Sequence, residues 1–287
     1  MAGARRSIHT GAQSPTQGLV DMAASSQATV LRLLRQVIAG DEHAGTIHAI
    51  RTHCRRLQAL LELYGEARRA GAMADCVRSL SKLRALQVFR HYLVTRDAPQ
   101  QDLALVDDRL IKRIRKLNRT KIYHRIEQVV WKQGLPRITS PAYSLTDRLD
   151  GLRHEHECLL KRLIAAASDN PRRKRLHALR LALKTIRYQT EWLPGRTAAK
   201  QDLLSQLKRV QALMGKYEEL ADFHRWGKKL SPPVQARIRK DWRRARKRAR
   251  LVPGEMSWLL DALAAGHVWT AAGHPDALLN RRSAGTL

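Results

Sequence analysis

The chain has 287 residues, 54 of them Lys or Arg against 25 Asp or Glu, giving a formal charge of +29. Hydrophobic residues at 44% are enough for a core, the length suits two domains of moderate size, and no apolar run approaches the ~18 residues of a membrane span. A charge this one-sided repels itself unless a polyanion neutralises it, and nucleic acid, an anionic membrane surface and inorganic polyphosphate are the candidates. Cys54, Cys76 and Cys158 are an odd set without short metal-type spacing, as expected for a reducing, cytoplasmic compartment.

In chain order, residues 1–20 are expected to form a disordered leader, because Gly, Ser, Gln and Pro dominate them. Arg5 and Arg6 without an acid give this stretch a faint transit-peptide character, but it has no signal-peptide apolar region. Apolar residues then recur at intervals of three and four, and alternating β-branched runs are absent, so the chain is predicted to be all-α. Helices are expected at about 21–38, 44–65, 72–96 and 100–132. A break follows from Gly134-Leu135-Pro136 to Ser140-Pro141. A second set is expected at about 142–167, 172–193, 197–230 and 232–265, separated by Asn170-Pro171, Pro194-Gly195 and Pro232-Pro233. Four helices followed by four suggest two antiparallel four-helix bundles, over residues 21–133 and 142–265, with a C-terminal tail at 266–287.

Two segments share one arrangement of polar residues. In the first, His48 is followed by Arg51, Arg55 and Glu62 at three, seven and fourteen residues. In the second, His177 is followed by Arg180, Lys184 and Glu191 at the same distances, with Arg187 between the last two. The offset of 129 residues between His48 and His177 makes this a repeat at domain scale. At about 100° per residue, His48, Arg51 and Arg55 fall within about 60° of one another, opposite Ile50, Cys54, Leu57 and Leu61. His177, Arg180, Lys184 and Arg187 form the equivalent face, with Leu179, Leu183 and Ile186 behind. Each face is a ladder of cations that phosphate oxygens along a chain could meet rung by rung, Arg with paired planar donors and Lys as a point charge. A solvated basic face without a ligand is the bland alternative, and repetition of the same residue order argues against it.

The run His48-x-x-Arg51-x-x-x-Arg55-Arg56-Leu57 resembles the CHAD family, named for conserved histidines on an α-helical domain. So does His177-x-x-Arg180-x-x-x-Lys184-x-x-Arg187-Tyr188-x-x-Glu191. The stretch from Leu207-Lys208 through Gln211 and Leu213-Met214-Gly215 to Glu218-Glu219 is similar to a third family motif, with Glu in place of its terminal Asn-Asp. This resemblance implies two four-helix bundles related by pseudo-two-fold symmetry, a basic groove or pore between them that binds inorganic polyphosphate, and association with polyphosphate granules and their proteins. Carried over by residue, His48, Arg51, Arg55 and Arg56 would line one wall, and His177, Arg180, Lys184, Arg187 and Lys208 the other. Two departures stand out. Gln58 occupies the position of a further cation, and the segment around Leu80 to Gln87 keeps Leu80 and Arg84 but lacks the family's aspartates. Arg84 is a lesser site candidate.

Other motifs carry less. His154 and Cys158 share a helical face while His156 points elsewhere, and no second Cys/His pair completes a zinc set. The Glu-x-Glu-x-Lys pattern of triphosphate-hydrolysing tunnel enzymes and the Walker-type phosphate loop are both missing, so no catalytic residue, metal or cofactor is expected and the protein is read as a non-enzyme. Dense basic tracts at Arg109 to Lys121 and Arg237 to Arg250 leave a general polyanion or nucleic-acid-binding protein as the alternative, with nucleic acid expected as the weaker competitor. No membrane partner is expected.

Overall fold

Apolar residues at helical spacing give eleven α-helices and no strand among the described residues of the computed structural model, which are 15–41, 43–135, 145–193 and 197–264. The first six are α1 (Pro15–Ile38), α2 (Ala44–Leu63), α3 (Ala67–Ser79), α4 (Ser81–Val94), α5 (Gln100–Arg119) and α6 (Ile122–Gln133). The last five are α7 (Leu145–Asp169), α8 (Arg173–Trp192), α9 (Ala198–Trp226), α10 (Pro232–Leu251) and α11 (Ser257–Ala264).

Three of the eight expected helices are split. The helix expected over 72–96 starts earlier and divides at Leu80, because Arg51 and Ser81 both donate side-chain hydrogen bonds to the Val77 carbonyl at the end of α3. The helix expected over 100–132 divides at Lys121, which adopts a left-handed conformation with φ 49° without any Gly or Pro to signal it. The last one divides at Pro253, where a short 3-10 turn intervenes before α11. At the other end, α1 begins at Pro15, inside the expected leader, with Pro at a first-turn position where its missing N–H costs nothing. Residues 1–14, the Pro136–Pro141 part of the central break, Pro194-Gly195 and the tail at 266–287 lie outside the described residues.

Packing contacts link α1 with α2 and α6, α2 with α3, and α4 with α5. Further on, α9 lies between α8 and α10, and α7 against α8 and α11. The two sets share one apolar core, with Ile47, Leu57, Leu83, Phe89, Leu183 and Phe223 all fully buried. Phe89 of α4 stacks on Phe223 of α9, centroids 4.6 Å apart, and Tyr92 packs on the same ring at 5.1 Å. Asp102 in the first turn of α5 caps α10, accepting from Ser231 N at 2.8 Å and from Ser231 Oγ at 2.5 Å. These joints hold α4 beside α9 while α2 packs against α8. The four helices therefore enclose a common centre, into which the polar faces of α2 and α8 turn.

Candidate anion-binding site

Burial on one side dictates what faces the centre. Ile47, Ile50, Cys54, Leu57 and Leu61 are buried on α2, and Leu176, Leu179, Leu183 and Ile186 on α8. Their amphipathic spacing leaves His48, Arg51 and Arg55 on the inner side of α2 and Arg180, Lys184 and Arg187 on that of α8.

Lys184 is the middle of this arrangement. Its ammonium is surrounded by Arg180 and Arg187 from its own helix and by Arg55 and Arg51 from α2. Among the described residues no carboxylate or other acceptor is bonded to it. Burial first, and then the four guanidinium groups, push its pKa down to about 6. Arg51 is lowered to about 10, by burial and then by Arg55 and Arg84. Arg55 and Arg180 are lowered chiefly by burial, against opposing contributions from Tyr188 for both and from Glu218 and Glu219 for Arg180. Guanidinium groups do not give up their protons in proteins, so among these buried, crowded cations Lys184 is the group that yields. His48 keeps one side open to solvent, and partial burial of the ring, followed by Arg84, Arg51 and Lys184, disfavours its charged form.

Individual positions are fixed by contacts at the rim. Arg51 Nη1 donates to Ser81 Oγ at 2.7 Å and to the Val77 carbonyl, which ties α2 to the α3–α4 junction. Arg84 Nη1 donates to the Ala44 carbonyl at 3.3 Å and stands within electrostatic reach of His48, Arg51 and Glu219. The guanidinium of Arg180 lies along Gly215 of α9, where a Cβ would sit 3.6 Å from Nη2, and its buried Nε has no acceptor among the described residues. Arg187 covers the Tyr188 ring at 4.3 Å, and its Nε is 3.4 Å from Glu191 Oε1.

Three of the nine expected residues are drawn elsewhere. His177 Nδ1 is 3.4 Å from Glu218 Oε2, a carboxylate that also accepts from Arg173 Nη2 at 3.0 Å. Burial pushes Glu218 up, but the bonds from His177 and Arg173 outweigh it and hold the carboxyl below its ordinary range. Arg56 Nε pairs with Glu191 Oε2 at 3.3 Å, and its carbonyl accepts from Trp192 Nε1 at 2.7 Å. Arg56 and Lys208 line a separate cleft of about 600 Å³ with Asp21, Ser25, Ser26 and Trp192. Glu191 joins cleft and centre, because its two oxygens face Arg56 and Arg187. On α2 the equivalent Glu62 accepts from Gln58 Nε2 at 2.9 Å, so the substituted position keeps its partner without its charge.

Sequence reasoning missed Arg173 and Ser81. Arg173 could have been found by extending the α8 ladder back one turn from His177, since four residues return to the same face. Ser81 carries no such signal, because only the fold brings it to Arg51. Among the described residues no three His, Cys, Asp or Glu side chains gather as a metal site. His154 Nε2 is 3.6 Å from Cys158 Sγ, and His156 is hydrogen-bonded to Gln189 at 2.8 Å instead. No helix among the described residues is long and apolar enough to cross a membrane.

Chemically, the centre offers fixed N–H donors and uncompensated positive charge within a partly desolvated space, which suits a multivalent oxyanion. Comparison with known proteins agrees with the helical architecture. The crystal structure of the CHAD domain from the plant Ricinus communis superposes with a TM-score of 0.57 at 18% identity, over 90% of this chain and 93% of that one. No curated protein matches the chain. The CHAD domain family profile matches residues 23–228, most of the length, and the chain belongs to the CHAD domain family.

Proposed function

We propose that the protein binds inorganic polyphosphate, without turning it over, in the basic centre between α2 and α8, and that it associates through this site with polyphosphate granules in the cytoplasm. The observation that carries the reading is Lys184 held among Arg51, Arg55, Arg180 and Arg187 with no carboxylate bonded to it among the described residues. Keeping the Lys184 ammonium charged among these guanidinium groups is costly unless an anion completes the set. From His177 to Arg187 the ladder spans about 15 Å at 1.5 Å per residue, longer than a single phosphate and suited to a chain of them. Polyphosphate has no bases to stack, and the aromatic rings beside the cluster, Tyr188 and Trp192, are buried in protein contacts.

The test is calorimetric titration with inorganic polyphosphate at fixed salt. Arg55→Ala with Arg180→Ala should weaken binding at least tenfold, while Arg115→Ala with Arg119→Ala, two exposed cations of α5, should have a far smaller effect. Equal losses from both pairs would refute a specific centre. General polyanion binding is the second reading, favoured by the exposed cations of α5 and α10. Under it, duplex DNA would displace polyphosphate at equal phosphate concentration.

A further inference from the structure

We infer that the outer face of α10 is a second track for a long polyphosphate chain, continuous with the central site at its Arg173 end; this rests on the polyphosphate reading above. Nine Lys and Arg lie between residues 237 and 250, with one acid, Asp241. That acid is turned inward, where Tyr92 Oη donates to Asp241 Oδ2 at 2.9 Å and Arg96 Nε stands 3.4 Å away. Val234, Ile238 and Ala249 bury the inner side of the helix, and α10 packs on α9. The outer face carries Lys240, Arg243, Arg244, Lys247 and Arg248, all exposed and none hydrogen-bonded or ion-paired among the described residues, with Arg239 and Arg250 exposed beside them.

The density of charge on this face selects the ligand. Residues 240–248 span about 12 Å at 1.5 Å per residue, so five cations stand about 3 Å apart on average along the axis. This is close to the ~3.4 Å per phosphate of a single nucleic-acid strand, and a single small anion would neutralise only a fraction of it. A linear polyanion matches it. Bases have little to stack on here, because Trp242, the aromatic ring of this helix, is covered by His224 at 4.8 Å and approached by Arg246 at 5.5 Å. A polyanion without bases therefore fits better than nucleic acid.

The face also connects with the centre. Tyr217 of α9, a helix that packs against both α8 and α10, lies within electrostatic reach of Glu218, Arg173, Arg246 and Arg250. Arg173 is one helical turn before His177 and is bonded to Glu218 and Asp222. Because α9 packs against both α8 and α10, the track proposed for a chain leaving the central site runs across α9 to α10.

The experiment compares tripolyphosphate with long-chain polyphosphate on the full-length protein. The triple variant Arg243→Ala, Lys247→Ala, Arg248→Ala alters only exposed side chains. It should leave tripolyphosphate affinity within about twofold, weaken long-chain binding about tenfold or more, and reduce the slope of log K against log salt by about two. Unchanged long-chain affinity and slope, or an equal loss for both ligands, would overturn the track. Displacement of the long chain by duplex DNA at equal phosphate concentration in wild type, but not in the triple variant, would assign the face to nucleic acid instead. Indifference of both ligands to Arg55→Ala with Arg180→Ala would sink the central site, an outcome separable from failure of the track alone.

Discussion

Lys184 of α8 faces Arg55 of α2 across the contact between the two motif helices, and among the described residues no carboxylate is hydrogen-bonded to either. A second full charge beside Arg55 would oppose the packing of the two helices, which is why Lys184 gives up its proton easily in the ligand-free protein.

The first consequence is linkage to pH. Lys184 is lowered from an ordinary 10.5 to about 6 in the ligand-free protein. Between those values the unfolded chain binds one more proton than the folded one, so this lysine makes stability rise with pH across that window. A bound polyanion favours the ammonium and raises its pKa, so binding takes up a proton and tightens as pH falls toward about 6. Calorimetry at pH 7.5 in two buffers of different ionisation enthalpy should report uptake of about one proton, mostly abolished by Lys184→Met. His48, also disfavoured as a cation, adds a smaller share below neutrality. Flat affinity from pH 6 to 8 with no proton uptake would refute the coupling.

Glu219 should act as an internal competitor for the cations it faces. Its charge lies within reach of Arg84 and Arg180. Glu219→Gln should tighten polyphosphate binding about two- to fivefold, the size expected for a partly screened pair worth about 0.5–1 kcal/mol. Glu218→Gln should differ, because Glu218 holds Arg173 and His177 in place. A Glu219→Gln protein that binds more weakly than wild type would contradict this assignment.

The Asp102 cap should matter to stability and not to binding. The carboxylate is 2% exposed and satisfies both the N–H and the hydroxyl of Ser231 at the start of α10. Asp102→Ala leaves these donors unsatisfied and should cost about 2 kcal/mol, read as a lower thermal midpoint. Its polyphosphate affinity at 20 °C should stay near that of wild type.

Turnover is the last expectation. Purified protein with magnesium or manganese should release no orthophosphate from polyphosphate above a buffer control. Steady release that depends on protein concentration would make the protein an enzyme and displace the binding-only reading.

The sequence by itself determined the helical class and the composition of the site. The three- and four-residue apolar period requires helices, and the same period places His48, Arg51 and Arg55, or Arg180, Lys184 and Arg187, on one face each. Local information ends there. Of the three helix breaks, the one at Leu80 involves a distant partner, Arg51, on the Val77 carbonyl, Lys121 turns left-handed with no residue that demands it, and only the one at Pro253 carried a local signal.

Only the tertiary structure decided which cations stay unpaired. Arg56, His177 and Lys208 look equivalent to the rest in a repeat read by spacing, yet the fold gives Arg56 to Glu191 and His177 to Glu218, and puts Lys208 with Arg56 in a side cleft. Arg84 enters the centre because α4 packs beside α9, a contact made by Phe89 and Phe223 far from any basic motif. Helical periodicity is a property of neighbouring residues and can be read along the chain. Charge neutralisation depends on distances between helices, which side-chain packing sets only after the chain has folded.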